Sequence, residues 1–338
     1  MLKQSMYIIA ALVAVVGLGC DSKGLVRDAH ARVGLSKLRP AATGPSHWIY
    51  DHDGDLYDAG PSKSSAYLTT VQLVNVAGDP CDEKHDTCRF KYTTMEDIRR
   101  YQGHTQALCS SVWGNQFRTQ PMLGGRSGSL LADGTVLTSA HGGADLSSMY
   151  IIIARTDAFV VDKRARVVVV PKSHVRRPSC VLESVNDPNN HVDWMRLKLA
   201  GARTGPWTEG LELAEPVTKN QRLTASFHPL GLPAKFSERT PVGVRGSVYS
   251  LKIDSAEGCS GGGLIDDSGR LAGVVSGRVP RHTWFETLKF NGPLCIEART
   301  DRSEQFTPIQ SIVFTKQECT DTRTKENQDH ADTSHDHL

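Results

Sequence analysis

Short runs rich in Val, Ile and Leu, each ended by turn residues, recur along most of this chain and restrict it to an all-β sandwich or barrel. The runs are Tyr67 to Val76, Ser129 to Thr138, Met149 to Ala154, Arg166 to Val170, Met195 to Leu199, Arg222 to Phe227, Gly246 to Ile253, Gly263 to Asp266 and Leu271 to Val275. Only Met95 to Tyr101 has a helical pattern, with Thr94 as its cap. With 338 residues and 39% hydrophobic content, the chain can bury one large core or two modest ones.

The first twenty residues read as a targeting segment. Lys3 supplies a positive start, Tyr7 to Leu18 an apolar run, and Leu18-Gly19-Cys20 closes it. That ending resembles a bacterial lipobox, which implies cleavage before Cys20, an acyl anchor on its thiol, and an extracytoplasmic protein tethered to a lipid membrane. Asp21 resembles the inner-membrane retention signal of some Gram-negative lipoproteins. An ordinary secretory signal or a short membrane anchor is the alternative, although the run is short for a spanning helix, which needs roughly 20 apolar residues. Residues 21–45 are polar and aperiodic, as suits a flexible tether.

Export places the other seven cysteines, at 81, 88, 109, 180, 259, 295 and 319, where disulfides persist. Seven is odd, so at least one is unpaired or bonded outside the chain. Cys81 and Cys88, with His85 between them, admit a zinc reading. Their spacing is not that of a usual short Cys pair and no second pair follows, so a small disulfide loop is expected. The carboxylates of Asp51 to Asp58 suggest a calcium loop, but Gly54 and Ser62 fall at the wrong loop positions and a polar turn is the simpler reading. Residues 319–338 are charged, with His330, His335 and His337 and almost nothing to bury, and read as a disordered tail. No cofactor or metal is expected. A formal charge of +2, from 39 basic and 37 acidic side chains, gives no field that favours nucleic acid.

Three motifs carry chemistry. "SGSLLADGTVLTSAHG" is two apolar strands around an Asp133-Gly134 turn, ending on His141. "HVDWMRLKL" sets Asp193 before an alternating run, and "IDSAEGCSGGG" sets Ser260 in a glycine-rich bend. The order His, Asp, Ser is that of the chymotrypsin arrangement, not the Ser, acid, His order of α/β-hydrolases. A serine hydroxyl is a weak nucleophile until an imidazole takes its proton, and that imidazole needs an acceptor for its other N–H. His141 is therefore the expected base, Asp193 its orienter and Ser260 the nucleophile. Glycines beside Ser260 let the backbone aim the N–H groups of Gly258 and Ser260 at one point, an expected oxyanion hole.

These residues resemble the trypsin-like serine peptidases, and more closely the bacterial branch that includes the glutamyl endopeptidases. "VLTSAH" resembles the family's His box, "DWMRLKL" its Asp strand and "IDSAEGCSGGG" its nucleophile loop; "FHPLGLPAK" and "LAGVVSG" resemble strands of the second barrel, and "LCSSVWGNQFRTQP" the lead into the first. The resemblance runs from about Cys109 to Glu297. It implies two six-stranded antiparallel Greek-key β-barrels with the active site between them, a peptidase domain at 109–318, and protein or peptide substrates cut through an acyl-enzyme. Residues 46–108 would then be an N-terminal extension or pro-segment, a small docking module, or an elaborated first strand.

Some positions depart from the family. Arg126 and Gly142 stand where many members have a disulfide pair, and Cys259 stands before the nucleophile where Asp or Asn is usual, which argues against trypsin-style zymogen activation. Ser260, followed directly by Gly261-Gly262, keeps the nucleophile's register. Asp254, six residues before Ser260, sits where trypsin-like enzymes bind basic side chains, although glutamyl endopeptidases also carry an aspartate in this stretch. Ser276, Gly277 and Arg278 should wall the specificity pocket, with Arg278 either favouring an acidic substrate residue, blocking the pocket or lying solvated. The rival expectation is a catalytically inactive, protease-like binding or scaffold lipoprotein.

Overall fold

The apolar runs fold as strands because nearly every one has its inward face covered. The computed structural model describes residues 57–58, 68–94, 97, 107–108, 119–153, 159–237, 240–251, 253, 255, 258–276, 285–288, 295–298, 304–315 and 319. In chain order the first strands are β1 (Tyr57–Asp58), β2 (Thr70–Asn75), β3 (Thr87–Lys91), β4 (Ala107–Leu108), β5 (Arg126–Leu130), β6 (Val136–Thr138), β7 (Met149–Ile153) and β8 (Val160–Asp162). Next come β9 (Val167–Pro171), β10 (Val175–Arg176), β11 (Pro178–Asp187), β12 (Val192–Leu199), β13 (Arg222–Phe227), β14 (Lys235–Phe236), β15 (Thr240–Pro241) and β16 (Gly243–Arg245). The last are β17 (Val248–Leu251), β18 (Gly263–Ile265), β19 (Leu271–Val275), β20 (Phe285–Leu288), β21 (Cys295–Ala298) and β22 (Glu304–Pro308).

Two large antiparallel sheets dominate. The first runs β10-β7-β2-β5-β6-β12-β11. Its two end strands are one stretch of chain interrupted at Arg177, so β10 on β7 and β11 on β12 close the sheet into a ring. The second runs β1-β14-β13-β18-β19-β22-β17-β16, with β15 also paired to β13. Here β15 and β16 are one stretch interrupted at Val242, which joins β13 to β17 and closes a second ring. Counting each interrupted stretch as one strand gives six per ring. Numbered along the chain within each ring, both follow the order one, two, three, six, five, four. This is the expected all-β architecture of two six-stranded Greek-key barrels, in the chymotrypsin-like arrangement.

The residue pattern explains the layering. Alternate side chains of a strand point to opposite faces, and in β7 both faces are buried. Met149, Ile151 and Ile153 enter the first barrel's core with Val71, Leu73, Leu130 and Leu197. Tyr150 and Ile152 face outward into a second cluster with Cys88, Phe90, Val168 and Val170, supplied by the small sheet β3-β9-β8. A strand covered on both sides is uniformly apolar, which is why "MYIII" shows no alternation. The Cys81–Cys88 disulfide closes the hairpin entry to that covering layer and gives the expected small loop.

The barrels meet along an interface that is apolar in one part and polar in another. Leu131, Leu137 and Trp194 of the first join Ile265, Leu271 and Val274 of the second in one buried cluster, each large side chain contributing about 1.5–3 kcal/mol of burial. Beside it the hydroxyls of Thr70 and Ser226 hydrogen bond across the interface. Gln72 donates to the carbonyls of Gly124 and Gly231 at 2.7 and 3.1 Å. After β22, residues Ile309 to Thr315 cross back to the first barrel. Phe314 lies edge-on to Trp194, with ring centroids 5.8 Å apart, and under the Arg196 guanidinium. Thr315 donates to Glu183, and a Cys180–Cys319 disulfide ties the end of this strap to β11.

Two boundaries drawn from sequence shift. Residue 109 does not begin the barrel domain, because β2 lies in the middle of the first sheet, paired with both β5 and β7. A cut after 108 would remove a strand from the middle of that sheet. Cys319, placed at the head of the tail, is covalently held. The expected helix at Met95 to Tyr101 lies outside the described residues except for Asp97. There the Asp97 carboxylate accepts from the Thr94 N–H and hydroxyl, each at 2.7 Å, and the Asp97 N–H donates to the Thr94 carbonyl at 2.9 Å. The carboxylate stretch Asp51 to Asp58 lies outside too, apart from the β1 backbone. Among the described residues no helix is long and apolar enough to cross a membrane, and no group of three or more His, Cys, Asp or Glu side chains could hold a metal ion.

Candidate active site

Strand register brings the first two motif residues together. Thr138, the last residue of β6, is opposite Met195 of β12. Running the antiparallel register on, Asp193 arrives beside the turn that follows Thr138 and carries His141. The Asp193 carboxylate accepts the N–H groups of Ala140 and His141 at 2.8 and 2.9 Å on Oδ1. On Oδ2 it meets the His141 Nδ1 at 2.5 Å. A carboxylate can only accept, so Nδ1 carries the proton and Nε2 is left as the basic nitrogen. Asp193 is 1% exposed while the His141 side chain is 34% exposed, so the acceptor is buried and the imidazole is accessible. The Asp193 N–H is bonded at 2.9 Å to the hydroxyl of Thr307, a β22 residue that ties this strand to the second barrel.

The third motif residue sits where the β18–β19 ladder ends. Gly261 N–H donates to Val275 at 2.7 Å and Val275 N–H to Gly262 at 2.9 Å, so the ladder runs on until the chain turns at Ser260. The turn closes through Gly262 N–H to Cys259 C=O at 2.9 Å. Gly261 has φ +85°, and a Cβ there would lie 2.2 Å from both the Ser127 carbonyl and the Thr138 hydroxyl. Only glycine lets the Ser260 turn come so close to the strands leading to His141. Cys259 is 2% exposed and takes part in the second barrel's core cluster, so its thiol points away from solvent while Ser260 is partly accessible.

One residue of β5 fixes this turn to the first barrel. The Ser127 N–H donates to the Ser260 carbonyl at 3.0 Å, and its hydroxyl donates to the Gly258 carbonyl at 2.6 Å. The same hydroxyl accepts from His228 N–H at 2.7 Å, and the Ser127 carbonyl accepts from Thr138 at 2.6 Å. Among the described residues, neither the Gly258 N–H nor the Ser260 N–H donates to a protein acceptor. Also among the described residues, no hydrogen bond joins Ser260 to the His141 ring. Such bonds are often long in unliganded sites and tighten when substrate binds.

Arg126 lies against the His141 turn. It donates to the carbonyls of Ser139 at 3.1 Å, of His141 at 3.2 Å and of Gly143. Burial pushes its guanidinium pKa down, and the nearby Asp193 carboxylate opposes that shift. Motif reading picked out His141, Asp193, Ser260 and Gly258 but gave no role to Ser127 or Thr307. A serine in "GGRSGS" and a threonine in "EQFTP" carry no signal without the register. Ser276 is buried at the end of β19, its N–H bonded to Gln305 C=O at 3.1 Å. Asp254, Gly277, Arg278 and Cys20 lie outside the described residues.

No family model matches the chain, and no curated protein matches it. Solved structures do. An inactive mutant form of Rv3671c from M. tuberculosis H37Rv matches with TM-score 0.37 and 13% identity over 74% of this chain and 86% of that one. Human heparin binding protein matches with TM-score 0.43 and 14% identity over 76% and 91%. The active form of the Rv3671c protease from M. tuberculosis matches with TM-score 0.35 and 14% identity over 71% and 79%.

Proposed function

We propose that this protein is a serine endopeptidase, with Ser260 as nucleophile, His141 as general base and Asp193 as the group that orients it. The observation that carries the reading is the Asp193 carboxylate, which is buried, holds two N–H groups of the His141 turn and accepts from the ring Nδ1. In this mechanism Nε2 takes the hydroxyl proton as Ser260 Oγ attacks the scissile carbonyl. The oxyanion is received by the N–H groups of Gly258 and Ser260, each such donor being worth roughly 100- to 1,000-fold in turnover. His141 then passes the proton to the departing amine, leaving an acyl-enzyme, and water reverses the sequence to free the acid and restore Ser260. The substrate is a protein or peptide.

Membrane tethering belongs to the same proposal. Leu18-Gly19-Cys20 supports cleavage and lipid attachment at Cys20, with the catalytic unit on the extracytoplasmic side, where the Cys81–Cys88 and Cys180–Cys319 disulfides persist. Intact mass of the mature chain tests this: an acylated N-terminal Cys20 is expected, and an unmodified chain beginning elsewhere contradicts it. The glutamyl-endopeptidase resemblance and Arg278 support cleavage after acidic residues, and cuts confined to Arg or Lys contradict that preference.

A second reading, a protease-like binding protein, draws on the missing hydrogen bond between Ser260 and His141. Incubating an unbiased peptide library with the purified chain and with Ser260→Ala separates the two. New termini made by the wild type and absent with Ser260→Ala support the endopeptidase; no cleavage by the folded wild type supports the binding protein.

A further inference from the structure

The turn bearing His141 is gripped from two sides by opposite charges. On one side Asp193 takes its N–H groups at Ala140 and His141. On the other Arg126 takes its carbonyls at Ser139, His141 and Gly143. The turn is tight enough to aim three carbonyls at one guanidinium, with Gly142 at φ +85°, Gly143 at φ +68° and a Gly143 N–H to Ala140 bond of 3.1 Å. A planar guanidinium suits this work because its donors diverge in a fixed fork, whereas an ammonium is a single rotating point.

Arg126 and Ser127 are consecutive residues of β5. Ser127 holds the carbonyls of Ser260 and Gly258 while Arg126 holds the turn of the base. One strand therefore sets the spacing between nucleophile and base. We propose that Arg126 is a positioning residue for the hydrolysis argued above, fixing the His141 imidazole relative to Ser260 by clamping its turn from the carbonyl side opposite Asp193. The inference rests on that hydrolytic reading for its purpose, but the clamp itself has an independent signature.

The test uses the full-length chain with Arg126→Met, which keeps the length but loses every donor, and Arg126→Lys, which keeps the charge. Three quantities are measured well below the unfolding temperature: the rate constant for labelling by a fluorophosphonate, the low-field proton signal of the His141–Asp193 hydrogen bond, and thermal unfolding. Arg126→Met should label about 100-fold more slowly, the scale of a 1 Å misplacement of a catalytic group. Its low-field signal should also vanish as the imidazole proton exchanges with water. Arg126→Lys should fall between Arg126→Met and the wild type in both readouts. A purely structural arginine would lower the unfolding temperature yet leave the folded fraction with wild-type rate and signal, and that result overturns the proposal. If Arg126→Met does not fold, Arg126→Lys decides, and wild-type behaviour in both readouts overturns the proposal. If the wild type does not label at all, the hydrolytic reading fails, and the proton signal still decides whether Arg126 positions His141.

Discussion

Replacing Asp193 by asparagine separates orientation from mere polarity. Oδ1 of Asp193 accepts two backbone N–H groups, from Ala140 and His141. In Asp193→Asn only the amide oxygen can take that place, so the NH₂ group is forced to face His141 Nδ1. The ring must then accept at Nδ1 and carry its proton on Nε2, which leaves no base for Ser260. The wrong tautomer in an otherwise intact triad costs ~10⁴-fold in turnover, about 5 kcal/mol of transition-state stabilisation. Folding should change little, within about 2 kcal/mol, since the site keeps two of its three hydrogen bonds and reverses the third. The assay is the second-order rate of fluorophosphonate labelling, with thermal unfolding run in parallel to show that the variant is folded. A folded Asp193→Asn that labels within tenfold of the wild type refutes the reasoning.

Other perturbations follow from the same geometry. Gly261→Ala places a Cβ 2.2 Å from the Ser127 carbonyl at a positive φ, so denaturant unfolding should show a loss of about 2–5 kcal/mol together with loss of labelling; a neutral substitution contradicts the close approach. The disulfides close chain separations of 139 and 7 residues, so on chain entropy alone breaking Cys180–Cys319 should cost about 5 kcal/mol and Cys81–Cys88 about 2. Equal losses in Cys180→Ser and Cys81→Ser would contradict that ordering. Burial pushes the Asp133 carboxyl up, but hydrogen bonds from Thr135 and Arg196 outweigh it and hold its pKa below the usual value. The folded pKa is the lower one, so this group's stabilisation is present above about pH 4 and fades as pH falls through the folded value. Stability of Asp133→Asn, measured by denaturant at neutral and acid pH, should therefore be less pH-dependent than that of the wild type; identical slopes would contradict the assignment.

What could be read in the sequence depended on which faces of each strand are covered. β7, β13 and β19 were legible because both or one of their faces meet a core and their apolar residues say so. β11 was not, since only three of its ten residues are buried, it has two register shifts, and its sequence reads as polar loop. β22 has a single large apolar residue, Phe306, and its buried Thr307 serves the interface through a hydrogen bond. Thr70 and Gln72 alternate with apolar neighbours as if they faced water, and Ser127 and Ser129 flank Gly128, yet all four are buried where the barrels meet. Alternation reports polarity and cannot tell solvent from a second polar surface. His141, Asp193, Ser260 and Gly258 stand out in the sequence because the chemistry proposed for them demands particular residue types beside particular strand ends. Arg126 carries no signal of its own in the sequence, and its contacts with three carbonyls come from a turn conformation that no local pattern encodes.

The central claim is that Ser260, and not its neighbour Cys259, is the activated nucleophile. Peptide mapping by mass spectrometry after fluorophosphonate treatment of the full-length chain tests it most directly, because the adduct reports which side chain the site activates. An adduct on Ser260, abolished in His141→Ala, is the expected result. A folded protein with no adduct, or with the adduct on Cys259 or elsewhere, would contradict it.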